Sequence, residues 1–178
     1  MEKKIDGKTM FEGHIFKVTV DQVLVEENGN IASREIVHHN GGVAIIAIID
    51  GCILLVKQYR YAYGEYTLEI PAGKIEIGED HYNTGMREIE EETGYRVDSL
   101  KLITTSYPTP GYDTEIIYIY EAINPHKVEN PLAKDEDEFI DVIHMPLEEA
   151  YEKILSLEIK DAKTVIAILY AYNKMLKK

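Results

Sequence analysis

The chain has 178 residues, 45% of them apolar, which is enough for one globular unit with a substantial core. It carries 19 basic against 32 acidic side chains, a net charge of −13 with no basic stripe; this excludes holding nucleic acid or an anionic membrane through the protein's own field, so an anionic ligand needs a mediating cation. One cysteine, Cys52, excludes an intramolecular disulfide framework and a Cys-based zinc cluster, and its place in the run CILLV predicts a buried core thiol.

The N-terminal MEKKIDGKTM has no apolar segment suited to a signal peptide, and no stretch approaches the ~20 apolar residues of a membrane span, so a cytosolic chain is expected. From there to about residue 60 the apolar residues alternate or run in short pieces: HIFKVTVDQVLV, ASREIVHHN, GVAIIAII and CILLVKQYR. The breakers ENGN, NGG and DG separate them, as in strands and hairpins. EYTLEI continues the pattern as far as Pro71, and AGKIEIGED reads as a loop with a glycine near each end. Residues from about Asp80 to Thr93 predict a helix, with Tyr82, Met86, Ile89 and Thr93 on one face and Gly94 as its stop. VDSLKLITTSY, the breaker-rich PTPGYDTE and the strand IIYIYEAI follow, then an acidic loop ENPLAKDEDE and the strand FIDVIHM. Pro146 opens LEEAYEKILSL, and Asp161 caps a last helix whose predicted apolar stripe is Val165, Ile168, Leu169, Tyr172 and Leu176. Nothing repeats at a fixed period. Strands that outnumber helices, with the helices late, favour a mixed α+β or α/β sandwich.

The segment GKIEIGEDHYNTGMREIEEETGY, residues 73–95, concentrates seven acidic residues, four of them between Arg87 and Glu92. On a helix Glu88, Glu91 and Glu92 stand at i, i+3 and i+4 and fall within one narrow arc, while Glu90 points away. Like charges at these spacings repel by a few tenths of a kcal/mol each even on an exposed face, and more in a cleft. Arg87 reaches Glu91 four residues on, but one guanidinium does not neutralise three or four carboxylates. Hard oxygen ligands on a rigid face suit Mg²⁺ or Mn²⁺. A solvated glutamate face is the plain alternative. Against it, Glu92 lies beside Ile89 rather than opposite it, and Gly85 interrupts the helix at roughly 1 kcal/mol relative to Ala, which implies a close backbone approach.

Gly73, five residues, Glu79, seven residues, Arg87-Glu88-Ile89, one residue, Glu91-Glu92, one residue and Gly94 together resemble the Nudix box, departing from it only at Tyr95, where the pattern has an aliphatic residue. The resemblance implies an α/β/α sandwich with a mixed sheet that hydrolyses a nucleoside diphosphate linked to another moiety, with Mg²⁺ or Mn²⁺ bound by the box glutamates. It makes Glu88 and Glu92 the principal metal ligands, lets Glu91 share a metal or a bound water, and gives the backbone carbonyl of Ala72 the remaining place in the shell. Glu79 and Arg87 become the pair that ties loop to helix, with Gly73 and Gly94 as structural positions.

Further segments are similar to the ADP-ribose pyrophosphatase branch: KQYRYA at 57–62, TLEIPAGKIEIGE at 67–79, Pro110 sixteen residues after Gly94 with Glu115 beyond it, and DEDEFIDV at 135–142. The likeness spans about residues 34–150. It implies residues 1–40 as an N-terminal β extension that pairs across a homodimer and helps build the substrate pocket, with 41–178 as the hydrolase domain. The implied reaction gives AMP and ribose 5-phosphate. The general base falls on the acidic loop, at Glu138 or else Glu136, with Glu91 as the fallback. Arg60 is expected at the substrate's phosphate or terminal ribose, Arg34 at its adenosine end, and Tyr107 and Tyr112 as possible stacking groups. A substrate other than ADP-ribose, namely another nucleotide sugar, a dinucleoside polyphosphate or an oxidised nucleotide, keeps the same chemistry. A non-catalytic ADP-ribose sensor is disfavoured by the intact acidic positions.

Overall fold

The computed structural model describes residues 1–133 and 139–177. They divide into two compact units, one formed by residues 1–41 with 107–116 and the other by 42–106 with 117–178.

The first unit is a three-stranded antiparallel sheet of β1 (Glu2–Glu12), β2 (Phe16–Val25) and β3 (Asn30–His39), in the order β1-β2-β3. Every residue of β1 is exposed, so this strand is held by backbone pairing on β2 and leaves no apolar alternation in the sequence. The buried positions of β2 are Thr19, Asp21 and Val23. The two polar ones are satisfied across the sheet, Asp21 by Lys4 Nζ at 2.8 Å and Thr19 by His38 Nε2 at 2.9 Å. Segment 107–116 joins this unit through Val37, whose N–H donates to the Tyr112 carbonyl at 2.7 Å and whose carbonyl accepts from Thr114 N–H at 2.9 Å.

The second unit contains β4 (Gly42–Ile46), β5 (Ile48–Ile49), β6 (Cys52–Arg60), β7 (Glu65–Glu69), β8 (Ala72–Lys74), α1 (His81–Thr93), β9 (Tyr95–Arg96), β10 (Ser99–Ser106), β11 (Ile117–Ile123), β12 (His126–Lys127), β13 (Asp141–Pro146), α2 (Leu147–Leu155) and α3 (Ala162–Leu176). One sheet runs β10-β11-β4-β8, with β11 and β4 parallel and the other pairs antiparallel; a second runs β13-β6-β5, with β7 also on β6. The period of two in β4 sets the layers. Val43 and Ile45 enter the core that includes Ile89 of α1, whereas Ala44 and Ile46 enter the core that includes Ala150 of α2 and Ile168 of α3. A strand buried on both faces with helices on either side is the mixed-sheet α/β/α sandwich.

Three sequence expectations change, and one strand goes unmarked by the apolar pattern. AGKIEIGED begins as a strand rather than a loop, because Ala72–Lys74 pair with β4. Leu169 and Leu176 are exposed: α3 buries Thr164, Ala167, Ile168 and Ala171 instead, a face of mostly small side chains that lets the helix lie close to the sheet. Cys52 is half-buried, since it opens β6 at the sheet's end beside the Asp50-Gly51 turn. The N-terminal strand β1 had no counterpart in the apolar pattern. Gly85 does mark a close approach, because a Cβ there would lie 2.7 Å from Leu100 Cδ1 and 3.0 Å from Val43 Cγ1.

Candidate active site

Helix α1 is delimited by its own sequence. The Asp80 carboxylate accepts from Tyr82 N–H at 2.9 Å to cap the start, and Gly94 takes the left-handed conformation at φ 73° while its N–H donates to the Glu90 carbonyl at 2.8 Å. Ile89 anchors the apolar face at 0% exposure. Three glutamates of this helix are also buried, at 9% for Glu88, 5% for Glu90 and 2% for Glu92. Burying a carboxylate costs several kcal/mol unless it is paired or hydrogen-bonded, so the partners are what make this helix possible.

Arg87 is the hub. Its Nη1 lies 2.6 Å from Glu91 Oε2 and 2.9 Å from Glu88 Oε1, and its Nε and Nη2 each donate to Glu79 at 3.3 Å. Burial alone would lower the guanidinium's pKa; the hydrogen bond to Glu79 and the charges of Glu88 and Glu91 overcome it and raise it. The Arg87 hydrogen bond in turn holds the Glu79 carboxyl below the usual carboxylate range. Glu92 turns to β8, where its Oε2 accepts from Ala72 N–H at 2.9 Å. Beside it, a Cβ on Gly73 would overlap the Glu88 carboxyl, so only glycine lets β8 and the helix approach this closely. Loop, strand and helix thus meet through Ala72, Gly73, Glu79, Arg87, Glu88 and Glu92.

The donors fit a hard divalent cation in kind, being three carboxylates on adjoining turns of one rigid helix with a strand carbonyl alongside. As the side chains lie, no group of three carboxylates or imidazoles among the described residues is spaced to hold a metal ion. Arg87 draws Glu88 and Glu91 together, whereas Glu92 is turned to Ala72.

A family model described as the NUDIX domain matches residues 38–167, which takes in the whole of this constellation. The chain belongs to the Nudix family. It is 44% identical over 170 residues to a protein of Bacillus methanolicus named methanol dehydrogenase activator, covering 95% of this chain and 91% of that one. It is 42% identical over 177 residues to the ADP-ribose pyrophosphatase of Bacillus subtilis (strain 168), covering 97% and 96%. A crystal structure of an ADP compounds hydrolase superposes with a TM-score of 0.85 at 23% identity, over 99% of this chain and 94% of that one, which shows the fold.

Among the other sequence-predicted positions, Arg60, Arg34 and Glu115 carry partners of their own. Arg60 is committed to Glu69, its Nε donating at 2.6 Å to one oxygen and its Nη2 at 2.7 Å to the other. Its charge is also felt by Asp161 and Glu92, and the Glu69 hydrogen bond raises its pKa. Arg34, Pro110 and Glu115 belong to the first unit. There Arg34 donates to both carboxylate oxygens of Glu2 and, at 2.9 Å, to the Ser33 carbonyl, so each of its nitrogens has a partner. Glu115 lies 3.4 Å from His39 Nδ1. Tyr107 and Tyr112 are exposed. Glu136 and Glu138 lie outside the described residues.

Two buried clusters went unread in the sequence. Glu69, 3% exposed, is held by Arg60, by Lys163 of α3 and by the Thr67 hydroxyl at 2.6 Å. Burial pushes its pKa up, but the Arg60 hydrogen bond and the Lys163 charge prevail and lower it to about 2. Beside it the Thr164 hydroxyl accepts from Ile70 N–H at 2.8 Å, so the start of α3 clamps the strand that leads into the box. A lone charge inside TLEI was the available signal. Glu90 is the second case: it accepts from Arg96 Nη2 at 2.7 Å and Nε at 2.8 Å, and from Leu132 N–H at 3.2 Å.

Proposed function

We propose that this Nudix protein hydrolyses the pyrophosphate bond of ADP-ribose to AMP and ribose 5-phosphate, using Mg²⁺ or Mn²⁺, as a cytoplasmic homodimer. The observation that carries the reading is the gathering of carboxylates at α1 and the loop before it, where Glu79, Glu88 and Glu91 all meet the guanidinium of Arg87, with Glu92 on the same helix turned to Ala72. Almost full-length likeness to an ADP-ribose pyrophosphatase supports the choice of substrate.

Glu88, Glu92 and the Ala72 carbonyl would hold the cation, with Glu91 sharing it. When bound, a divalent cation polarises the phosphoryl oxygens and screens the charge left on the departing phosphate. The chain's own residues supply the rest. Arg87 and Glu79 lock the loop to the helix, so the carboxylates are set before substrate arrives and need little reorganisation. Arg60, fixed by Glu69, would present its remaining edge to a phosphate oxygen. Glu138 would accept the proton of the water whose oxygen forms the new P–O bond as the bridging P–O bond breaks. Glu136 is the second choice and Glu91 the third, because a carboxylate that already holds a cation is a poor proton acceptor. In the first unit, β1 leaves a strand edge that a second copy would cover, which is the basis of the homodimer. Light scattering should give about twice 20.3 kDa; a monomer at micromolar concentration contradicts it.

The test is a product-resolved panel with Mg²⁺ and with Mn²⁺ against ADP-ribose, other sugar nucleotides, diadenosine polyphosphates and oxidised nucleotides. ADP-ribose should give the highest kcat/KM, with AMP and ribose 5-phosphate in equal amounts. A different preferred substrate moves the protein within the family, and full activity with chelator removes the metal assignment.

A further inference from the structure

The chain contains two Asn-Gly pairs, Asn28-Gly29 and Asn40-Gly41. In such a pair the backbone nitrogen of the glycine can close on the side-chain carbonyl carbon of the asparagine, because no Cβ on the second residue crowds the ring that forms. The two pairs differ in what holds the reacting groups. In the turn between β2 and β3 both are engaged: Gly29 N–H donates to the Val25 carbonyl at 2.9 Å, and the Asn28 side-chain oxygen accepts from Asn30 N–H at 2.9 Å. Between β3 and β4, Asn40 is exposed and its side chain makes no hydrogen bond to another described residue. There the Gly41 N–H donates at 3.0 Å to His39 Nδ1.

The acceptor is what separates the two turns. A carbonyl holds an amide proton without taking it, whereas an imidazole nitrogen can take it, and 3.0 Å is within the reach of a general base. His39 is itself held in place. The Thr114 hydroxyl accepts from His39 N–H at 3.0 Å and donates to the His39 carbonyl at 3.4 Å, and the ring's Nδ1 lies 3.4 Å from Glu115 Oε1. An imidazolium formed by proton uptake would therefore face a carboxylate, which favours it. All of these groups belong to the first unit.

We infer that Asn40 is a site of spontaneous covalent modification, at which His39 promotes attack of the Gly41 nitrogen on the Asn40 side chain and so converts that asparagine to aspartate or isoaspartate. The proton of Gly41 N–H passes to His39 Nδ1 as the new C–N bond forms at the Asn40 side-chain carbon. It is handed on to the amide nitrogen, which leaves as ammonia when its own C–N bond breaks. Water then opens the cyclic imide at one carbonyl or the other, and nothing is oxidised or reduced. Asn40 and Gly41 lie outside the ladders of β3 and β4, which end at His39 and begin at Gly42, so the rotation that ring closure needs breaks no strand pairing. Either product adds a negative charge one residue from His39, and isoaspartate also adds a methylene to the main chain of this two-residue connection. The step needs neither metal nor substrate.

The test is peptide mapping by mass spectrometry after the protein has been held in neutral buffer at about body temperature, folded or unfolded in urea. Conversion reads as a gain of about 1 Da, and methylation by an isoaspartyl methyltransferase marks the isoaspartate fraction. In the folded protein Asn40 should convert at least about fivefold faster than Asn28, whereas in urea, where neither turn persists, the two should agree within about twofold. His39→Gln, shown to be folded by its melting curve, should slow conversion at Asn40 about fivefold and leave Asn28 unchanged. The comparison of folded with unfolded parent decides the matter even where the variant fails to fold. Conversion of Asn40 in the folded parent no faster than that of Asn28, or a folded His39→Gln variant that converts at the parent's rate, overturns the inference.

Discussion

Two charge clusters in the second unit use the same residue types in different proportions. On the box face of α1, one guanidinium, Arg87, serves the carboxylates of Glu79, Glu88 and Glu91; at the start of α3, Glu69 is served by Arg60, Lys163 and the Thr67 hydroxyl, and Lys163 is shared with Asp161. Both are largely withdrawn from water, so both bear a desolvation cost that partners within the chain must offset. Carboxylates matched by cations of the chain itself, as Glu69 and Asp161 are by Arg60 and Lys163, serve as scaffold. Carboxylates gathered about one guanidinium are hard oxygen donors set close together, which is where the proposed divalent cation would sit.

The sharpest way to break this contrast is Glu92→Gln. It removes a hard ligand and a negative charge while the amide oxygen can still accept from Ala72 N–H, so turnover should fall at least ~100-fold with little change in thermal stability. Steady-state kinetics and a melting curve on one preparation decide it, and a variant that keeps its rate removes Glu92 from the metal set.

Glu69→Gln should show the reverse pattern, a large effect on folding first. Removing the anion strands the half-buried Arg60 and leaves the buried Lys163 with Asp161 alone, a loss of about 3 kcal/mol in urea unfolding. The acid limb carries the same signature. Glu69 has a folded pKa of about 2 against an ordinary value of 4.5, so the unfolded chain binds more protons between the two. The contribution, up to about 3 kcal/mol, is complete above pH ~4.5 and is lost as pH falls towards ~2. Stability measured across that window should be steeper in the parent than in Glu69→Gln; parallel curves would show that Glu69 is not paired in the folded state.

Gly73→Ala gives the smallest of the three effects and sharpens the comparison at the junction of β8 and α1. The added methyl meets the Glu88 carboxyl, so overpacking should cost about 1–2 kcal/mol and shift Glu88 off its position, with turnover lowered about tenfold. A variant with normal stability and rate would mean that Glu88 has room to spare.

How far these regions were legible in the sequence follows from how local their determinants are. The box helix was readable to within a residue, because Asp80 and Gly94 are capping types at its ends and the acidic arc is a matter of spacing along one helix. Gly85 announced a close approach by its cost in a helix, and the structure supplies Leu100 and Val43 as the reason. Of the Glu69 cluster only the lone charge inside TLEI was readable: Lys163 lies 94 residues away, and nothing in TLEIP or DAKT says that they meet. The Arg60–Glu69 pair was hidden for a similar reason, since Glu69 was visible only as part of a strand. The apolar stripe assigned to α3 counted large side chains, whereas the packed face uses Thr164, Ala167 and Ala171 around Ile168, because a close helix–sheet contact favours small residues. β1 lacked the alternation of a half-buried strand because all of its side chains are exposed.

The central claim, that the carboxylate surplus on α1 takes up a divalent cation, is tested most directly by Mn²⁺ binding to the protein without substrate, followed by electron paramagnetic resonance. The parent and Glu69→Gln, kept at a temperature where the latter is folded, should bind Mn²⁺ alike, and Glu92→Gln should bind it at least about tenfold more weakly. Equal binding by Glu92→Gln and the parent, or loss of binding on changing Glu69 alone, would contradict the account.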